Sequence, residues 1–192
     1  MLRNQKGRLF ILLMALGLLG WVSGPAAAAV RIEGQVQAGG GAVARSTVSL
    51  WSASGDAPAR LAQADTDANG GFVISTDQTP RAGTILYLVA IGGEPAINKA
   101  AGNNPAIALM AVLGDHPPAT VVINEMTTVA SVWTTAQFLD GTVIKGQPLG
   151  LRIAAGNVPN FVNLATGGWG RRHPGPAQQR PDADDGQLRH AG

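Results

Sequence analysis

Cysteine is absent from this 192-residue sequence, tyrosine occurs once, and histidine occurs three times. Without cysteine the protein has no disulfide, no thiol nucleophile and no zinc–thiolate site, so a packed core must stabilise its fold. Charged residues make up 14% of the chain and aromatic residues 5%. Candidate functional side chains are therefore confined to a few positions.

An apolar run, Leu9–Val22, follows a basic head in which three of the first eight residues are Lys or Arg. Small residues, Ala26–Ala29, come next. This order is typical of a secretory signal peptide, and the run is short for a membrane span. An uncleaved anchor is the alternative. We expect residues 1–29 to be a signal peptide for the Sec route, the protein to be secreted or periplasmic, and no stable membrane span to remain after cleavage.

The positive charge of the chain belongs mostly to its ends. Without the three basic residues of the predicted leader, the 14 Lys and Arg residues fall to 11, against 12 Asp and Glu residues. Nucleic-acid binding requires a clustered cationic face. The folded part of the chain lacks that excess of positive charge, so nucleic acid is excluded as a partner.

The last segment, residues 167–192, has few apolar residues and is rich in Gly, Pro, Gln, Arg and Asp. A segment of this composition cannot bury enough apolar surface to offset the entropy lost on ordering. We predict a disordered tail here, in which His173 and His190 are solvated rather than ligands.

Short runs with alternating or continuous apolar residues occupy the first half of the predicted mature chain. Clusters of Gly, Ser, Asp and Pro separate them, which is typical of an antiparallel β-sandwich. The last run, "TILYLVAIGG", is apolar throughout and indicates a strand buried on both faces. The five predicted strands lie at residues 30–37, 46–53, 59–66, 71–76 and 84–93.

The same region resembles a known family. The pattern "V.I.G.V", a glycine-rich loop, "A.STVSLW", "DTDANGGF.I" and "YLVA" is similar to the carboxypeptidase regulatory-like domain, over Val30 to Gly93. This resemblance implies a prealbumin-like (transthyretin-like) sandwich for residues 30–95. It also implies that the segment Thr66–Phe72 joins two strands and that Phe72 points into the core. It says almost nothing about activity.

Residues 96–166 differ in character and predict a mixed strand and helix extension packed on the sandwich. "TVVINEM" is typical of a strand, and "TTVASVWTTAQFLDG" has helical spacing with Asn124 or Thr127 as its N-cap. We expect Trp133 to lie in the core between the two halves. "VINEMTTVASVW" and "NVPNFVNLATG" are similar to segments that follow carboxypeptidase regulatory-like domains in secreted bacterial proteins.

The stretch "DTDANGGF" has two possible interpretations. Asp65, Asp67 and Asn69 match the first, third and fifth ligands of a helix–loop–helix calcium site, but the twelfth position is Thr76, which cannot supply a bidentate carboxylate. Asn-Gly is a strong hairpin signal. The sequence favours a turn, and it predicts no metal and no cofactor.

No pattern for catalysis stands out. His116 lies in the loop "GDHPP", where a solvated role is expected, and Glu125 at a helix start is expected to interact with the helix dipole. Trp51 alternates with Val48 and Leu50, so it lies on the opposite face of its strand and is the candidate ligand-binding residue. We therefore predict a non-enzyme.

The function expected from the sequence is an exported, non-catalytic structural, adhesive or ligand-binding module of the cell envelope. Carbohydrate is a candidate ligand, and a cell-surface polysaccharide or an envelope protein is the candidate partner. The alternative is an accessory or regulatory domain associated with a secreted hydrolase.

Overall fold

The computed structural model describes residues 30–78 and 80–170. The predicted leader and residues 171–192 of the predicted tail lie outside the described residues. Within them, the strands are β1 Val30–Ala38, β2 Gly41–Ala44, β3 Thr47–Ala53, β4 Ala59–Asp65, β5 Gly71–Thr76, β6 Ile85–Ile91, β7 Glu94–Pro95, β8 Ala108–Gly114, β9 Thr120–Ile123, β10 Leu139–Asp140, β11 Val143–Ile144, β12 Val162–Asn163 and β13 Gly168–Trp169. The helices are α1 Glu125–Thr135 and α2 Pro148–Phe161, with short 3-10 segments at Ala96–Ala101 and Ala136–Phe138.

Two sheets form a sandwich. One has the order β5-β1-β2-β7, with β9 pairing in parallel beside β1, and the other has the antiparallel order β4-β3-β6-β8. Their facing sides enclose a core to which Ile32, Leu50, Phe72 and Leu88 contribute. The predicted mainly-β class, a β-sandwich with a helical extension, is confirmed.

Strand β6 is buried on both faces, as its sequence predicts. Leu86, Leu88 and Ala90 face the core between the sheets. Tyr87 and Val89 face a second core, which α1 and α2 cover. The molecule therefore has three layers, sheet, sheet and helices, and β6 lies in the middle layer.

Two strands from later in the chain also belong to the sheets. Strand β8 is the edge partner of β6, and β9 pairs with β1. Both strands lie in residues 96–166, the segment predicted as a mixed strand and helix extension, and they pair with strands of the sandwich; the domain boundary at residue 95 stays a prediction. These pairings join residues far apart in sequence, and local patterns do not reveal them. No helix among the described residues has the length and apolar character that a bilayer span needs.

Helix α1 starts where the sequence predicts, but the face of the helix that packs against the sheet is not the face that carries Trp133. Asn124 is its N-cap, and Asn124 and Thr127 form a reciprocal capping box. The face towards β8 carries small and hydroxyl side chains, Thr127, Ala130, Ser131 and Thr135, and all four are buried. Trp133 is 74% exposed. The prediction of Trp133 as a core residue is wrong, because β8 takes hydroxyl groups rather than an indole.

The "DTDANGGF" stretch is a turn between β4 and β5. The Oδ1 atom of Asp67 accepts hydrogen bonds from the backbone amides of Asn69 and Gly71, each at 2.8 Å. Gly70 has a φ of +75°, a conformation that glycine adopts without strain. Phe72 is buried in the sandwich core. The predicted turn and the inward orientation of Phe72 are confirmed.

Residues 167–170 belong to the fold. Strand β13 pairs with β12, with Val162 opposite Trp169, and the Gly170 amide donates to the Phe161 carbonyl at 3.0 Å. The prediction of disorder for these four residues is wrong, because their backbone groups find partners at the end of α2.

Candidate functional site

A cleft of about 530 Å³ opens where the loop after β8, the end of α2 and the β12–β13 hairpin meet. We call it the mixed cleft, because polar and apolar side chains share its lining. Its side chains include His116, Asn163 and Trp169, and its lining is completed by Leu113, Pro118, Pro159, Val162, Leu164, Ala165 and Gly170.

The hairpin that carries Trp169 is fixed at several points. The Asn163 side chain accepts a hydrogen bond from the Ala165 amide at 3.0 Å, and the Asn163 carbonyl accepts one from the Gly167 amide at 2.8 Å. The Val122 amide of β9 donates to the Leu164 carbonyl at 2.8 Å. These bonds place Trp169 on a supported hairpin at the rim of the cleft.

Gly167 connects this hairpin to the start of α1. Its φ of +68° lies in the left-handed region, and an added Cβ would lie 2.7 Å from the Val122 side chain. The Asn124 amide nitrogen Nδ2 donates to the Gly167 carbonyl at 3.1 Å. The residue that caps α1 therefore also positions the hairpin, which requires glycine at this point.

An ion-pair group borders the cleft. The Nδ1 atom of His116 lies 2.8 Å from Oδ1 of Asp115, and Nε of Arg152 lies 3.3 Å from Oδ2 of the same carboxylate. The hydrogen bond from His116 holds the pKa of Asp115 below its usual range, and the nearby Arg152 charge acts in the same direction. The His116 side chain is 93% exposed, so its ring is available at the mouth of the cleft.

The described side chains of the mixed cleft include groups that can contact a ligand, and they lack a nucleophile. An Asp–His pair can orient an imidazole, but nucleophilic catalysis also needs a hydroxyl, thiol or amine within reach of it. Among the described residues that line the mixed cleft, no side chain supplies such a group. The lining can stack a ring on Trp169 and exchange hydrogen bonds through His116 and Asn163.

A second depression also has Trp169 in its lining. We call it the apolar groove; it measures about 410 Å³ and is lined by Met126, Val129, Ala130, Trp133, Phe161 and Trp169. None of these described lining residues carries a charge. Trp169 belongs to both linings, so the groove and the mixed cleft are neighbours.

Trp51, the ligand-binding residue expected from the sequence, lies away from both depressions. It is on the face opposite Val48 and Leu50, as its alternation predicts, and is half-buried at the border of the second core. Its ring stacks on Tyr87, with centroids 6.4 Å apart and planes at 17°. The Arg60 guanidinium carbon lies 6.0 Å from its ring centroid. These neighbours give Trp51 a packing role; its predicted ligand contact stays a prediction.

The acidic candidates have structural partners. Glu125 lies in the first turn of α1, as expected, and its Oε1 accepts a hydrogen bond from the Gly39 amide at 2.7 Å. Asp65 accepts one from the Thr47 hydroxyl at 2.9 Å. Among the described residues, no group of three His, Asp or Glu side chains is placed to hold a metal ion.

Sequence reasoning missed Trp169 because the glycines around it matched the composition of a tail. A usable signal was present. Four residues containing Gly167 separate Val162–Asn163 from Gly168–Trp169, and a short Gly-containing loop between two such pairs is typical of a hairpin.

Comparisons with known proteins add little to this geometry. No protein-family model matches the sequence, and no curated protein matches it. Among solved structures, the chain is similar to a 9R-lipoxygenase from Cyanothece PCC8801, with a TM-score of 0.31 and 17% sequence identity. The match covers 54% of this chain and 17% of that one. At this TM-score the likeness defines neither fold nor activity for this protein.

Proposed function

We propose that this protein is an exported, non-catalytic binding module of the carboxypeptidase regulatory-like class, and that the mixed cleft binds carbohydrate. The observation that carries this proposal is that the half-exposed indole of Trp169 shares one cleft with His116 and Asn163. Sugars present C–H faces that pack on indole rings and hydroxyls that need hydrogen-bond partners. A cleft that combines an aromatic ring with a few polar groups suits such a ligand.

The size of the cleft agrees with this ligand class. Its 530 Å³ falls within the range of about 300–1,000 Å³ that small-molecule sites occupy. Trp169 brings a large contact area at a small cost in side-chain entropy. Envelope polysaccharide is the source of carbohydrate that an exported protein meets first.

Binding is tested by affinity electrophoresis and calorimetry of the purified protein against a panel of bacterial polysaccharides. Trp169→Ala and His116→Ala are expected to weaken binding at least tenfold. Trp133→Ala is the matched control, because Trp133 is more exposed than Trp169 yet lines the apolar groove instead of the mixed cleft. If no polysaccharide binds, or if Trp133→Ala weakens binding as much as Trp169→Ala does, the proposal is wrong.

Export is tested separately. Intact-mass spectrometry of the protein from the periplasm or the medium should give a species that starts near residue 30, because the small residues Ala26–Ala29 precede the first strand. A cytoplasmic protein that retains Met1 would contradict the proposed localisation without affecting the proposed ligand site.

A further inference from the structure

Helix α1 turns its apolar side chains outwards. Val129, Val132 and Trp133 are 65%, 40% and 74% exposed, while Ser131 and Thr135 on the opposite face are fully buried. An amphipathic helix on a globular protein normally places its apolar stripe towards the core. An apolar stripe that faces outwards marks an interaction surface.

This stripe is continuous with a depression. Met126, Val129 and Trp133 follow one another at helical spacing along the apolar groove, and Phe161 and Trp169 complete its lining. The face thus combines a protruding indole, Trp133, with an apolar cavity of about 410 Å³ beside it. A surface that carries both a projection and a cavity can meet its own copy across a two-fold axis, where the same patch is used on both copies.

We propose that the apolar groove is the interface of a symmetric homodimer, in which Trp133 of each copy packs into the groove of the other copy. Trp169 belongs to the linings of both the groove and the mixed cleft, so a Trp169 variant would affect both sites. Val129 and Trp133 line the groove and not the mixed cleft, so variants at these two positions test the dimer interface without changing the lining of the mixed cleft.

Charge favours a second copy as the occupant. In a two-fold interface every charged residue near the axis meets its own copy, and like charges in contact repel. Glu125 is the one charged residue in the sequence of α1, and its carboxylate is bonded to the Gly39 amide. With no charge in the lining of the groove, two identical faces can meet without repulsion.

The available area also agrees with a dimer. A fully exposed aromatic side chain presents about 150–250 Å². The exposed fractions of Trp133, Phe161 and Trp169 then give roughly 250–420 Å² per copy, to which the exposed parts of Met126, Val129 and Val132 add. A standard stable interface buries about 800 Å² per partner. Polar residues at the rim would supply the remainder.

The chain's own C-terminal sequence is a poor alternative occupant. After Gly170 it contains a single large apolar residue, Leu188, among Arg, Gln, Asp and Pro residues. A polar segment of this kind cannot fill an apolar groove without leaving its charged and amide groups unsatisfied.

The test is the oligomeric state of the protein purified after expression of the full chain. Sedimentation velocity and light scattering over a micromolar to millimolar range should show a monomer–dimer equilibrium. Val129→Asp should shift the dissociation constant at least tenfold towards monomer. Ile153→Asp is the matched control, because Ile153 is 60% exposed on α2 and does not line the groove.

Cysteine crosslinking provides a second measurement, since the natural sequence contains no cysteine. The single variant Val129→Cys places a thiol in the apolar groove, and the single variant Ile153→Cys places one on α2 outside the groove. Oxidation should give a disulfide-linked dimer from Val129→Cys and monomer from Ile153→Cys. The proposal is overturned if the wild type is monomeric at every concentration, or if the Ile153 variants behave like the Val129 variants. Circular dichroism of each variant checks that it is folded.

Discussion

The Ser131 hydroxyl accepts a hydrogen bond from the Val112 backbone amide at 2.9 Å. Two residues earlier on the same strand, the Met110 amide donates to the Thr128 hydroxyl, also at 2.9 Å. Strand β8 is at the edge of its sheet, and these amides would otherwise lack a strand partner. Helix α1 therefore supplies hydrogen-bond acceptors to two amides of this sheet edge from its own side chains.

Removing one of these hydroxyls should destabilise the protein. Ser131→Ala leaves the Val112 amide buried without its acceptor, and an unsatisfied buried donor costs about 1–3 kcal/mol. Urea denaturation should show this loss in the free energy of unfolding. Thr134→Ala is the control, because that hydroxyl bonds to the Ala130 and Ser131 carbonyls of its own helix. Equal effects of the two substitutions would mean that the edge bond contributes nothing specific.

Substituting alanine for glycine should change the free energy of unfolding in opposite directions at two positions. Gly34 lies in β1 under Phe72, and an added Cβ would lie 2.6 Å from Cζ of that ring and closer still to the Val121 carbonyl oxygen. Backbone cannot move away cheaply, so Gly34→Ala should cost about 3 kcal/mol or more, at the upper end of overpacking effects. Thermal and urea denaturation measure the loss.

Gly156→Ala should instead stabilise the protein. Gly156 is exposed in α2, and an added Cβ meets no atom within 4 Å. Alanine is better than glycine in a helix interior by about 1 kcal/mol. The same denaturation measurements check both substitutions. For Gly34→Ala, a protein as stable as wild type would show that β1 can shift away from Phe72 and Val121.

The single tyrosine should titrate above its ordinary range. Burial raises the pKa of Tyr87 above 10.0, although the Ile144 amide, 3.4 Å from its hydroxyl oxygen, partly opposes this. Burial favours the neutral phenol in the folded state. The contribution of Tyr87 to the free energy of unfolding is therefore complete below the unfolded pKa of about 10, and it is lost as pH rises through the folded pKa.

Phenolate absorbance of the native protein should therefore rise at higher pH than that of the protein in denaturant. With one tyrosine in the chain, the signal needs no assignment. Coincident titration curves for the two states would contradict the burial of this hydroxyl.

The Asp67 carboxylate should stabilise the protein by its hydrogen bonds in the turn rather than by binding a cation. It accepts two backbone amides at 2.8 Å, and hydrogen bonds to a charged group contribute about 1.5–3 kcal/mol each. Asp67→Ala should lower the melting temperature more than Asp65→Ala does, because the Asp65 carboxylate accepts only one exposed hydroxyl bond.

Millimolar calcium should leave the wild-type melting temperature unchanged; a rise of several degrees would restore the calcium interpretation of this segment.

Local patterns predicted the strands well, since alternation and continuous apolar runs report which faces of a strand are buried. The turn at Asp67 and the cap at Asn124 followed from the same short-range chemistry. The orientation of α1 did not. Hydrophobic periodicity assumes that the apolar stripe faces the core, whereas the edge of β8 requires hydroxyl acceptors, so Trp133 and its neighbours face outwards. The mixed cleft depends on contacts between distant segments and could not be predicted from local sequence.

Strand β1 has a consequence for how the chain folds. It lies between β5, which pairs Val73 with Glu33, and β9, which pairs Thr120 with the same residue. The hydrogen bonds of the first strand of the sandwich are therefore complete only when a segment nearly ninety residues away pairs with it. Pairings over such separations form slowly, because the entropy of closing a long loop must be lost before the contact is gained. Docking of β9 against β1 should therefore be a late event in folding.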